Sequence, residues 1–137
     1  MAAGAGCATN APAEQSRLSE NPPAIEILRG RADDLLKDIA MGDPARLRPY
    51  FAPGIEVDVR EQLQLYLHAP AGRVRIVRWD GAQIAVTLSS DRRRGDTAVR
   101  AEVAEDGGPA VARVIEFRWT SSADGEPYYL VPLSPSR

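Results

Sequence analysis

Two arginines, Arg75 and Arg113, fall on strand positions that otherwise read as apolar in the second half of this 137-residue chain. Side chains alternate between the faces of a strand, and a simple meander register puts both arginines on the face that gathers the apolar residues. A guanidinium there needs a partner, because a charge taken out of water and left unpaired is strongly destabilising. A helix carboxylate (Asp33, Asp34, Asp38 or Glu56) would make it a structural ion pair, as would an escape to water at the sheet edge make it unremarkable. A carboxylate or other anion bound in an apolar pocket would make it a ligand anchor, gripped by the planar guanidinium fork. Tyr50, Tyr66, Trp79, Trp119 and Tyr128 could line such a pocket, although large aromatics are more often plain core. Arg113 is the stronger candidate, since it lies in the longest predicted strand, whereas Arg75 lies on the first strand of the meander with a route to solvent.

The remaining chemistry-bearing residues form no set. His68 is the lone histidine, at the end of a predicted helix before Pro70; a charge-compatible helix end is its ordinary explanation and a catalytic base the alternative. Cys7 is the only cysteine, so no disulfide can form within the chain, and with His68 it supplies no metal-ligand spacing. No Gly-rich phosphate loop follows a strand, no Ser or Cys nucleophile has a base placed near it, and no Asp or Glu falls on the apolar sheet face between Arg73 and Thr120. No catalytic residue, metal or cofactor is therefore assigned.

The elements that must position these residues follow from periodicity. Asn21-Pro22 opens a helix whose stripe is Leu28, Ala32, Leu35, Leu36 and Ile39, and Gly42 closes it. Asp43-Pro44 starts a short helix carrying Leu47, Tyr50 and Phe51, stopped by Ala52-Pro53-Gly54. Ile55–Val57 reads as a short strand. Asp58, with Glu61 three residues on, starts a third helix with Val59, Leu63, Tyr66 and Leu67 inward. Five strands are predicted: Arg73–Trp79, Gln83–Ser89, Thr97–Ala104, Ala110–Thr120 and Tyr128–Leu133. Asp80-Gly81 is the sharpest hairpin signal. A two-residue turn there, a second turn in Arg92–Arg94 and a third around Gly107 set Val86 opposite Val99, Leu88 opposite Thr97, Val99 opposite Ile115 and Ala101 opposite Arg113. One face then collects Val77, Trp79, Ile84, Val86, Leu88, Val99, Val103, Val111, Ile115, Phe117 and Trp119. The other carries Val74, Ile76 and Val114 among Arg78, Arg100, Glu102, Glu116 and Arg118, an apolar centre with a charged rim that suits a homodimer interface.

Composition narrows the partners. The formal net charge is −2, from 17 basic and 19 acidic residues, and neither half of the chain is a basic footprint for nucleic acid. Arg92-Arg93-Arg94 is flanked by Asp91 and Asp96 and reads as a solvated hairpin tip. No apolar run approaches the length of a transmembrane segment. Residues 1–21 read as a flexible tail, 22–133 as one domain and 134–137 as a short C-terminal tail.

Cys7 follows Ala3-Gly4-Ala5-Gly6, and this resembles the cleavage region of a bacterial lipoprotein signal, with Cys7 as the lipidated residue. Gly4 stands where a Leu-like residue is usual, and no charged or apolar signal region precedes it. The resemblance implies export and lipid tethering if an upstream signal was trimmed; otherwise the expected location is cytoplasmic.

The stretch Leu35–Val57, with Gly42-Asp43, Leu47 and Phe51-Ala52-Pro53, resembles the opening of the nuclear transport factor 2-like superfamily, the cystatin-like α+β cone that includes SnoaL-like domains. The third helix and the meander extend the resemblance over residues 24–133. It implies an α+β fold in which N-terminal helices cover one face of a curved antiparallel sheet, a pocket between the two, and dimerisation through the sheet's outer face. The functional expectation is a non-enzymatic binding or interaction module taking a small apolar or anionic ligand. The alternatives are a small-molecule isomerase, dehydratase or hydrolase with its site in the cone, and a structural dimer with a filled cone.

Overall fold

Leu28, Ala32, Leu35, Leu36 and Ile39 recur on one side of helix α1 (Pro22–Met41), and all five are buried. In this computed structural model, which describes residues 22–69, 73–122 and 127–134, that stripe lies on the inner face of a five-stranded antiparallel sheet. The architecture is α+β, with three helices preceding a strongly curled, half-barrel sheet. Gly42 ends α1 with φ of +82°, a conformation that suits a residue without Cβ. Asp43 then caps a 3-10 helix over Pro44–Tyr50, its Oδ1 accepting the Ala45 N–H at 3.0 Å.

The strand expected over Ile55–Val57 does not form. Arg48 holds this segment instead: its guanidinium donates to the carbonyls of Phe51, Ala52 and Ile55, the last at 2.7 Å. Asp58 begins helix α2 (Val59–Leu67) by accepting the Glu61 N–H, and α2 buries Gln62, Tyr66 and Leu67. Its end is set by His68, a C-cap in the left-handed region whose N–H bonds the Gln64 carbonyl.

The strands are β1 (Val74–Trp79), β2 (Ala85–Leu88), β3 (Arg94–Glu105), β4 (Val111–Thr120) and β5 (Tyr129–Leu130). β3 is the shared template: β4 pairs along one edge, and β1 and β2 lie end to end along the other. The predicted β3–β4 register holds, with Thr97 opposite Phe117, Val99 opposite Ile115 and Ala101 opposite Arg113. Asp106 and Gly107, both at positive φ, make its turn. The β2–β3 register is displaced by two residues from expectation, with Val86 opposite Thr97 and Leu88 opposite Gly95. A shift of two preserves the faces.

The first hairpin is where expectation fails. β1 and β2 do not pair with each other. Asp80 is extended, with φ of −109°, and caps a single 3-10 turn over Gly81–Gln83. Gly81 instead lies close to Asp33, whose Oδ1 would stand 2.8 Å from a Cβ added there and would have to shift. Within β1, Ile76 pairs with Val103 and Arg78 with Glu102, leaving Val77 as the extra residue of a β-bulge. The bulge reverses every face assignment before it. Ile76 is buried rather than on the outer face, Val77 is 45% exposed rather than inward, and Arg75 is exposed and faces outward.

This assignment predicts an asymmetry between adjacent residues. Ile76→Ala should cost about 2–5 kcal/mol in urea denaturation. Val77→Ala should change stability by less than about 0.5 kcal/mol. Equal losses at the two positions would remove the bulge from the account.

Candidate functional site

The aromatic candidates do not converge on one cavity; each polar tip is tied to a different neighbour. Trp79 donates its indole N–H to Asp33 Oδ1 at 2.7 Å, and Lys37 Nζ lies 3.1 Å from the other oxygen. Partial burial would raise the Asp33 carboxyl, but the indole and the ammonium together hold it below the usual value. Tyr50 donates to Asp38 Oδ2 at 2.6 Å, and burial together with that carboxylate raises its phenol. Trp119 donates to Thr97 Oγ1 at 2.9 Å in the core, and Tyr128 to the Arg92 carbonyl at 2.6 Å. Tyr66 donates to the Val131 carbonyl, its ring 5.5 Å from that of Phe117; burial pushes its phenol up to about 12.

Of the arginines, Arg113 does lie on the inner face, with its side chain 30% exposed. Its Nη2 donates to the Leu67 carbonyl at 2.8 Å, and its Nη1 is 3.9 Å from Glu105 Oε2. Leu67 is the last residue of α2, so the guanidinium satisfies a terminal carbonyl and meets the negative end of the helix dipole. Arg75 stands apart on the outer face. His68 serves as the α2 cap. Cys7 and the tail expected over 1–21 lie outside the described residues.

Three polar residues that periodicity did not single out organise this half of the molecule. Arg31 stacks over the Tyr50 ring, 4.4 Å from its centroid, and donates to the Tyr128 and Pro49 carbonyls at 3.0 Å each. Gln62 is buried and clamps Leu133 like a strand partner, donating to its carbonyl at 2.9 Å and accepting its N–H at 2.7 Å. Arg48 is the third. Their signal in the sequence is weak: Gln62 sits within the apolar stripe of α2, but Arg31 and Arg48 look like ordinary surface charges.

Space is distributed unevenly. The cavity between helices and sheet, lined by Leu35, Phe51, Gln62, Tyr66, Phe117 and their neighbours, has a volume of about 10 Å³, the room of a single water. A groove of about 820 Å³ lies outside. Its floor is the outer face of β2, β3 and β4, with Thr87, Asp96, Ala98, Val114, Glu116 and Arg118. Its wall is Gln64, Leu65 and His68 of α2 with Leu133 and Ser134. Carboxylates, a guanidinium, an imidazole and aliphatic carbons alternate there, a lining suited to a mixed polar and apolar partner. Among the described residues no three His, Cys, Asp or Glu side chains gather to hold a metal ion, and no helix is long and apolar enough to cross a membrane.

Two measurements test these assignments. Arg113→Ala should cost about 1–2 kcal/mol, the scale of one charged hydrogen bond at a helix end. The stranding of a buried acid would cost about 3–5 kcal/mol instead. For Tyr66, the folded phenol titrates near 12 against an ordinary value of 10.0, so the folded state holds the proton more tightly. Its stabilisation is complete below pH 10 and is lost as pH rises through 10 to 12, amounting to about 2–3 kcal/mol. Tyr66→Phe should flatten that alkaline slope; an unchanged slope would assign it to other groups.

The chain matches no protein-family model, no curated protein and no solved structure, so its function is read from this geometry.

Proposed function

We propose that the protein is a non-enzymatic interaction module of the nuclear transport factor 2-like kind, acting through the outer face of its sheet and self-associating there as a homodimer. The observation that carries this reading is the contrast between a nearly filled interior of about 10 Å³ and an outer groove of about 820 Å³. The order of helix, short helix, helix and antiparallel strands, with the curl of the sheet, supports the superfamily, although β1 and β2 both pair with β3 where a meander would pair them with each other. The filled interior argues against a substrate or small ligand between helices and sheet, since drug-sized ligands need roughly 300 Å³ or more. On the outer face Val114 and Val77 are exposed beside Arg75, Arg100, Arg118, Asp96, Glu116 and the Arg78–Glu102 ion pair. Both signs of charge surround a modest apolar centre, and such a surface can meet a copy of itself without net repulsion.

Native mass spectrometry of the full chain tests this directly. The expected spectrum contains a dimer with no retained small molecule. Thr87→Trp, on the groove floor, should leave the denaturation midpoint unchanged and weaken association at least about tenfold. A monomer carrying a stoichiometric small molecule, unaffected by Thr87→Trp, would overturn the reading in favour of ligand binding elsewhere.

A further inference from the structure

The ten residues of β4 pair with β3 along one edge, but β5 covers the opposite edge only at Trp119 and Thr120. One further bond, from the Val131 N–H to the Arg118 carbonyl at 3.0 Å, shows which residues face that edge. Hydrogen-bonding direction alternates along an antiparallel strand. The backbone groups of Ala112, Val114 and Glu116 therefore point away from β3, and among the described residues no backbone group bonds them there. All three residues are exposed, Val114 by 58%.

Among the described C-terminal residues Leu133 is a poor cover, because Gln62 takes both of its backbone groups away from the ladder.

Resting on the outer-face reading above, we infer that β4 of a second copy occupies this edge, pairing antiparallel across a twofold axis at Val114 and joining two curled sheets into one. The side chains select both occupant and register. A twofold axis at Val114 buries this exposed valine against itself and sets Glu116 opposite Ala112 of the partner subunit. An axis at Glu116 would oppose like charges, which is destabilising. An axis at Ala112 would leave little overlap, because β4 begins at Val111. The favoured register thus has an apolar centre, no opposed like charges and an overlap that takes in the exposed part of the strand. Glu116 and Arg118 line the groove beside this edge, which gives the second strand space.

Sedimentation equilibrium on the full chain and two variants tests the inference. Val114→Pro removes the N–H at the twofold axis, where edge strands tolerate proline. It should retain the fold by circular dichroism and weaken dimerisation at least about tenfold. Ala112→Lys sets an ammonium against Glu116 of the partner subunit and should tighten the dimer severalfold, an effect abolished by adding Glu116→Gln. A dimer indifferent to both variants while sensitive to Thr87→Trp would overturn edge pairing and leave outer-face association standing. A wild-type chain that stays monomeric, or that binds an extended peptide at this edge in preference to itself, would overturn the second copy as occupant.

Discussion

The inner row of β3 is built from small residues, and the rest of the fold depends on this. Gly95, Thr97, Val99 and Ala101 stand opposite Trp119, Phe117, Ile115 and Arg113 on β4. Each large side chain leans into the space its neighbour leaves, and α1 settles over the small row. At Gly95 the approach is closest: a Cβ would fall 2.5 Å from Leu28 Cδ2 and 3.0 Å from Leu88 Cδ2. Leu28 is fully buried, so it cannot yield without disturbing the core. The Thr97 hydroxyl meets a buried polar demand of this layer by accepting the Trp119 indole N–H. The little volume left between helices and sheet lies to one side of the α1–β3 contact, lined by Leu35, Phe51, Gln62, Tyr66, Phe117 and their neighbours.

Local pattern was enough for α1, its Gly42 stop, the Asp43 and Asp58 caps and the β3–β4 hairpin, because there period and turn chemistry agree with the tertiary contacts. It misled at β1. The segment Val74-Arg75-Ile76-Val77-Arg78-Trp79 contains two alternations in opposite phase, Val74 with Ile76 and Val77 with Trp79. A regular strand can bury only one of them. The structure buries Ile76 and places Trp79 where its indole reaches Asp33, and Val77 is the residue that must bulge. The phase break was thus visible, but its meaning lay in Asp33, 46 positions away on α1. The two Asp-Gly pairs illustrate the same limit. Asp106-Gly107 forms a hairpin turn; Asp80-Gly81 has the same composition and instead starts a 3-10 turn that Asp80 caps through the Ala82 N–H, with Gly81 close to Asp33.

The candidate site was less legible because polar tips on aromatic residues do not announce their partners. Tyr50, Tyr66, Trp79, Trp119 and Tyr128 looked like the lining of a pocket, yet each hydroxyl or indole is spent joining two elements of the scaffold. Arg113 was correctly placed on the inner face, where its partner is a helix-end carbonyl that no residue-type pattern encodes. Of the groove residues, Glu116 and Arg118 were expected on the charged rim of an outer-face interface, but nothing in the types of Thr87, Asp96 and Ala98 distinguishes a groove floor from a surface. Only the position of α2 and Leu133 beside β4 makes them one.

The two edges of the sheet differ in a way that bears on how association would end. The β1–β2 edge is broken by the Gly81–Gln83 turn, bent by the bulge at Val77 and guarded by Arg75 and Arg78. These are the ordinary devices that prevent a sheet edge from templating another strand. The β4 edge has neither proline nor bulge in its ten residues, and only Arg113, Glu116 and Arg118 place charges along it. A sheet with two open edges would propagate head to tail into a filament, whereas one with a single open edge can satisfy it only with an identical edge. Pairing through β4, as inferred above, would therefore close at two copies. The bulge that reverses the faces of β1 thus also protects the far side of the sheet, so that association through β4, as inferred above, would stop at a closed dimer.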